Sequence, residues 1–218
     1  DSDAAVNVRL DATPTPGSGG HAQGDILRSI EVLIGSDFDD TLSGNGVAST
    51  LVGGLGADEL DGGFSGVHTY LYETVADSVA AESGTERTFD LIPYFDRTGN
   101  EADFIDLSEI NITLTGGQAA SSINIVDLTI DGDTFYDFAD FAEIAGFFNG
   151  SALDLSASTS DAIQAVYFAV DTSSDIGGHY LLINNDDENY SNDDLLIKLS
   201  DGFVNDAGIS PTEANFVL

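Results

Sequence analysis

Hard oxygen donors are the chemistry this sequence offers in quantity. Asp and Glu number 39 against five Lys plus Arg, a formal charge of −34, and there is no cysteine. Thiolate metal sites, disulfides and cysteine nucleophiles are excluded. A surface of this sign repels nucleic acid and anionic lipid, so neither is an expected partner. The acids have an order: Asp40 and Asp58 stand eighteen residues apart with Ser49 midway, and each of the three follows a glycine (Gly35, Gly44, Gly53) by five residues. Carboxylates set among Gly and Asn in loops tilt toward a hard cation, while the bland reading, an acidic surface kept for solubility, stays open.

Other chemistry is absent from the pattern. The zinc motif H-E-x-x-H does not occur, and His21, His68 and His179 have neither its spacing nor its flanks. Ser65 lies in Gly63-Phe-Ser-Gly-Val67, which lacks the second glycine of a nucleophile elbow. Paired carboxylates are too numerous to single out. The expectation is a chain that is not an enzyme, with any catalytic domain of a parent protein lying before Asp1.

The elements that must hold Asp40 and Asp58 follow from a nine-residue period. Its blocks are Gly35-Ser-Asp-Phe-Asp-Asp-Thr-Leu-Ser43, Gly44-Asn-Gly-Val-Ala-Ser-Thr-Leu-Val52 and Gly53-Gly-Leu-Gly-Ala-Asp-Glu-Leu-Asp61. The third fits the nonapeptide G-G-x-G-x-D-x-U-x completely and the others keep its frame. Glycines permit the tight turn, and x-U-x is a short strand with one inward apolar residue: Leu42, Leu51 or Leu60. Two nonapeptides make one coil, so Asp40 stacks on Asp58 and the pair faces one Ca²⁺. Backbone oxygens of Ser36, Phe38, Gly53 and Leu55 complete that expected shell. The fourth block, Gly62–Tyr70, has lost its Asp and reads as the exit, with His68 an ordinary turn residue.

Here the sequence resembles the RTX (repeats-in-toxin) family. Ser29-Ile-Glu31 ahead of Gly35 resembles the segment leading into the roll of serralysin-type proteases, which implies that Glu31 is a calcium ligand. Glu31 and Ser49 are also eighteen apart, on the opposite edge, so a second and weaker site is expected from Ser29, Glu31, Gly44, Gly46 and Ser49. The stretch from Gly53 through Tyr70-Leu-Tyr72, Asp90–Asp96 and Asp103-Phe-Ile-Asp-Leu-Ser108 is similar to the serralysin C-terminal domain. Residues Ala165–Asp171 and Asp194–Leu199 resemble that domain's closing strands.

The expected fold is all-β: a short parallel β-roll with lead-in strands over residues 1–70, then a β-sandwich-like domain with one short helix over 71–218. Strands are read at Ala5–Leu10, Thr69–Glu73 and Phe89–Phe95, the last broken near Pro93. Tyr180–Ile183 and Leu195–Leu199 read as a hairpin. Phe138, Phe141, Ile144, Ala145 and Phe148 fall at helical spacing, packing on the sheet or lining a groove. Of the acidic loops Asp131–Asp133, Asp171–Asp175 and Asn184–Asp194, the last could hold another Ca²⁺ or be simply solvated. Leu182 stands where an EF-hand loop beginning at Asp171 would need its closing Glu.

The resemblance implies export by a type I ABC transporter reading an uncleaved C-terminal signal, and Glu213-Ala-Asn-Phe-Val-Leu218 resembles such an ending. No apolar run reaches membrane-span length, and the N-terminus lacks a charged n-region followed by an apolar h-region. A fragment of a longer protein, or a matured product, is the expectation. Three functions share these features: a secreted, calcium-folded export module; a calcium-dependent surface adhesin or S-layer-like unit with a cell-surface glycan or matrix partner; and the non-catalytic tail of a secreted hydrolase.

Overall fold

The computed structural model describes residues 2–10, 15–79, 87–96, 102–110, 113–114, 118–119, 122–127, 162–170, 177–184, 194–200 and 213–218. The expected helix over Phe138–Phe148 and the interiors of the three acidic loops lie outside them. The chain is all-β: among the described residues, helix is confined to single 3₁₀ turns at Gly20–Ala22, Val75–Asp77 and Glu213–Asn215.

Short strands alternate between two sheets as the chain advances. Strands β1 (Asn7–Arg9), β3 (Thr41–Ser43), β5 (Glu59–Asp61) and β7 (Asp90–Leu91) lie side by side in one sheet. Strands β2 (Val32–Ile34), β4 (Ser49–Val52), β6 (His68–Leu71) and β8 (Phe104–Asp106) do so in the other. All these pairings are parallel, with Leu33 opposite Leu51 and Leu42 opposite Leu60, so each coil takes eighteen residues there. The step from β4 to β6 is one residue longer, because Ser49 pairs with His68.

One residue per strand points inward. Val8, Leu33, Leu42, Leu51, Leu60, Tyr70, Ile92 and Ile105 share one core, and Leu42, Leu51 and Leu60 are fully buried. Each such Leu contributes about 1.5–3 kcal/mol through burial.

The first sheet continues through β14 (Leu195–Ser200), β13 (Gly178–Asn184), β12 (Ala162–Val170) and β11 (Ser122–Asp127), in the order β7-β14-β13-β12-β11. It therefore passes unbroken from strands before residue 70 to strands after it. β13 pairs antiparallel with both neighbours, giving the expected hairpin with β14 and making the sheet mixed. Ala165, Tyr167, Leu181, Ile183, Leu195 and Ile197 join the common core, whereas Val166, Phe168, Tyr180 and Leu182 are buried outside it. These near-continuous apolar runs belong to strands covered on both faces. A two-stranded pair, β9 (Thr113–Leu114) with β10 (Gln118–Ala119), stands apart. The second sheet ends on β15 (Phe216–Val217), parallel to β8.

Candidate metal centre

Asp40 and Asp58, in the turns entering β3 and β5, and Asp90, which opens β7, lie on one edge two residues before the inward apolar position. They form a ladder. The Val6 amide donates to Asp40 Oδ1 at 2.7 Å, the Asp40 amide to Asp58 Oδ1 at 2.7 Å, and the Asp58 amide to Asp90 Oδ1 at 2.9 Å. The Asp90 amide ends the series on Ser78 Oγ at 2.7 Å. Each carboxylate thus satisfies the backbone of the coil before it, as buried polar groups must be satisfied.

The second carboxylate oxygens differ down the column. Asp40 Oδ2 accepts from the Ser36 amide and hydroxyl. Asp58 Oδ2 is buried with no hydrogen-bond partner, whereas the Asp90 carboxyl and the Tyr72 hydroxyl are buried against each other and interact. Burial pushes Asp58 up to about 7, with the charges of Asp40 and Asp39 adding and the Asp40 amide and Arg87 opposing. Burial also drives Asp90 well above the usual carboxylate range, the Asp58 charge adding to it. A group in this state favours a proton or another positive charge.

Glycine brings the turns close. A Cβ on Gly53 would fall 2.1 Å from Asp58 Oδ2, and one on Gly35 would meet Asp40 Oδ2 at 2.4 Å and the Gly53 oxygen at 2.3 Å. Gly54 and Gly56, at φ 97° and 128°, sit against the carbonyls of Ser36 and Phe38: added Cβ atoms would lie 2.3 and 2.9 Å from those oxygens. Of the expected donors, the Gly53 carbonyl and Asp40 Oδ2 thus both border Gly35, and the Ser36 and Phe38 carbonyls lie against the next coil's Gly54 and Gly56, while the Leu55 side chain is exposed. Among the described residues no three His, Asp or Glu side chains converge as a metal-holding group. A cation here would need main-chain oxygens as well as the two carboxylates, which is the donor set Ca²⁺ takes.

The opposite edge is organised differently. Glu31 and Ser29 are exposed, and Ser29 takes a left-handed φ of 54°. Gly44 packs against Ser49, whose Oγ is 2.8 Å from His68 Nδ1, and the Gly46 carbonyl accepts from Ser65 Oγ at 2.9 Å. Two of the donors expected of the second site, Gly46 and Ser49, are engaged by the fourth block. Its extra residue brings Ser65 and His68 back onto the previous turn.

His68 is thus not an ordinary turn residue. It opens β6, is buried, and has its Nε2 2.9 Å from the Ser65 carbonyl. Its amide donates to Asp103 Oδ1 at 2.8 Å, the same rung as on the acidic edge. Because Asp103 is bound by that amide and by the Asp96 amide, Ser49, His68 and Asp103 are a structural stack.

Sequence reasoning missed Asp90, Asp103 and Arg87. The first two had a signal: Asp90-Leu-Ile92 and Asp103-Phe-Ile105 repeat the D-x-U of Asp58-Glu-Leu60, without the glycines. No family model and no curated protein matches the sequence. No helix among the described residues is long and apolar enough to cross a membrane.

Proposed function

We propose that the chain is a calcium-binding module of RTX type, its two-sheet coil a parallel β-roll, which folds on Ca²⁺ outside the cell after export by a type I ABC system. The observation that carries this reading is the Asp40–Asp58 step, a pair of stacked buried carboxylates on glycine turns with Asp58 Oδ2 unpartnered. Asp40 and Asp58 would hold the ion with backbone oxygens of Ser36, Phe38, Gly53 and Leu55. Bound calcium neutralises carboxylates that burial otherwise penalises. The protein's own part is to fix those oxygens by the ladder and the glycine contacts.

The energetics match the route. A site with Kd on the order of 10⁻⁴ M is empty in the cytosol and filled outside. At about a hundred times Kd each filled site adds roughly 2.7 kcal/mol to the folded state. Circular dichroism in EGTA and then in millimolar Ca²⁺ tests this: the β signal and the melting temperature should rise with Ca²⁺ and respond poorly to Mg²⁺. An EGTA-treated chain as folded and as heat-stable as the calcium-treated one would refute it.

One observation favours the surface-adhesin reading as a second choice. Phe64 is 84% exposed and packs against half-exposed Tyr94 with ring centroids 4.2 Å apart and the planes tilted by 46°, an exposed aromatic pair suited to a sugar face. Loss of calcium-dependent binding to a glycan surface on Phe64→Ala, with folding unchanged, is its test.

A further inference from the structure

Arg87 brings a fixed positive charge to the acidic edge. It is one of only five basic Lys or Arg residues in the chain. It stands three residues before Asp90, as Leu55 stands three before Asp58 and Asp37 three before Asp40. Its Nη1 donates to the Asp58 carbonyl at 2.7 Å and to the Phe89 carbonyl at 3.1 Å, and its Nη2 to the Ala57 carbonyl at 3.0 Å. Those carbonyls belong to two successive coils. The buried, unpartnered Asp58 Oδ2 and the buried Asp90 carboxyl, which also meets the Tyr72 hydroxyl, belong to the same two, and the guanidinium charge acts on both carboxyls. Backbone oxygens from adjacent turns beside two carboxylates are what a hard cation would use. A guanidinium does not lose its proton and cannot be chelated away.

We propose that Arg87 is a tethered cation serving the coil step between Asp58 and Asp90. Calcium on this edge is then confined to the step between Asp40 and Asp58, and removing the guanidinium turns the Asp58–Asp90 step into an additional calcium site. This rests on the calcium reading above and extends it, because one coil step is charge-compensated before any ion arrives. That step is the part of the edge that can assemble in a calcium-poor compartment.

The test compares the full-length wild type, Arg87→Ala and Arg87→Lys by native mass spectrometry and thermal melts, in EGTA and across a Ca²⁺ titration. Arg87→Ala should melt lower in EGTA by about 4 °C or more, recover most of that loss in millimolar Ca²⁺, and bind one more ion than the wild type. Arg87→Lys should keep the wild-type ion count. An unchanged ion count in Arg87→Ala, with the same deficit in EGTA and in calcium, overturns the proposal. If the wild type binds no calcium, the calcium reading fails separately: an ion held by Arg87→Ala alone still supports the tethered cation, and none there overturns it. Should Arg87→Ala not fold, Arg87→Gln, which keeps an amide donor but no charge, takes its place with the same readings.

Discussion

At Asp58 one carboxylate has two separable duties. Oδ1 accepts the Asp40 amide, while Oδ2 is buried without a partner. Asp58→Ala strands that amide and should cost about 1–3 kcal/mol even in EGTA. Asp58→Asn keeps an acceptor for the amide and removes the buried charge. In EGTA at pH 8 it should be at least as stable as the wild type, yet gain little from calcium. Glu31→Ala, at an exposed side chain, should stay within about 0.5 kcal/mol in EGTA and lose less calcium affinity than either Asp58 variant. Melts and titration calorimetry on the three decide it, and a full calcium response in Asp58→Asn would remove Asp58 from the ion site.

Asp103 supplies the pH counterpart on the other edge. Burial pushes its carboxyl from 3.8 up to about 6, against the pull of the Asp96 and His68 amides. The proton-bound form is favoured in the fold, so this contribution is complete below pH 3.8 and lost as pH rises through about 6. In EGTA the wild-type melting temperature should fall between pH 5 and 7, with Asp58 and Asp90 adding slope of the same sign, and Asp103→Asn should make that slope shallower without abolishing it. The slope is the readout, because the Asn amide cannot accept from both backbone donors and lowers stability at every pH.

Among the elements, the turn before β5 and the strand itself make separable contributions. Leu60→Ala empties a fully buried position and should cost about 2–5 kcal/mol. Gly54→Ala adds a Cβ at φ 97° onto the Ser36 carbonyl, so the two coils must part there. It should destabilise the chain and also weaken calcium binding, whereas Leu60→Ala should leave the affinity of the folded state nearly unchanged. Urea midpoints with calcium titrations check both, and equal affinity loss in the two would mean that turn spacing does not govern the site. The nine-residue frame made this part legible, because glycines and one inward Leu per block set both the strand and its neighbour eighteen residues on. Later coils were not legible in that way. The steps pairing Glu59 with Leu91 and Thr69 with Phe104 are long and do not keep the nine-residue glycine frame, so only the short D-x-U pattern marks where Asp90 and Asp103 re-enter the stack. On the second edge the period could not foretell that Ser65 and His68 of the longer fourth block reach back to Gly46 and Ser49.

For the whole molecule, the C-terminal end bears on both folding and export. β15 extends the second sheet beside β8, the Leu107 amide donates to the Val217 carbonyl at 2.8 Å, and Asn215 Nδ2 donates to the Asp103 carbonyl at 2.9 Å. The same residues form the acidic-then-apolar ending expected to be read by a transporter. A segment paired as a strand in the folded sheet cannot also be held extended by an export channel, so the proposed export would belong to the calcium-free, uncompacted chain. At a formal charge of −34 that chain resists collapse. Removing a much longer tail would also take β14 from between β13 and β7, confusing loss of signal with loss of fold. Deleting residues 213–218 alone is the cleaner cut, with Asn215→Ala as its partner, since that variant removes a buried hydrogen bond but keeps the acidic-apolar ending. Expressed beside a compatible type I transporter, the deletion should stay inside the cell and, when purified, melt lower in calcium. Asn215→Ala should be secreted normally while losing about 1–3 kcal/mol of calcium-folded stability. Secretion of the deletion at wild-type yield would end the export claim and leave the calcium claim intact, whereas retention of both variants would mean that folding, not a signal, controls release.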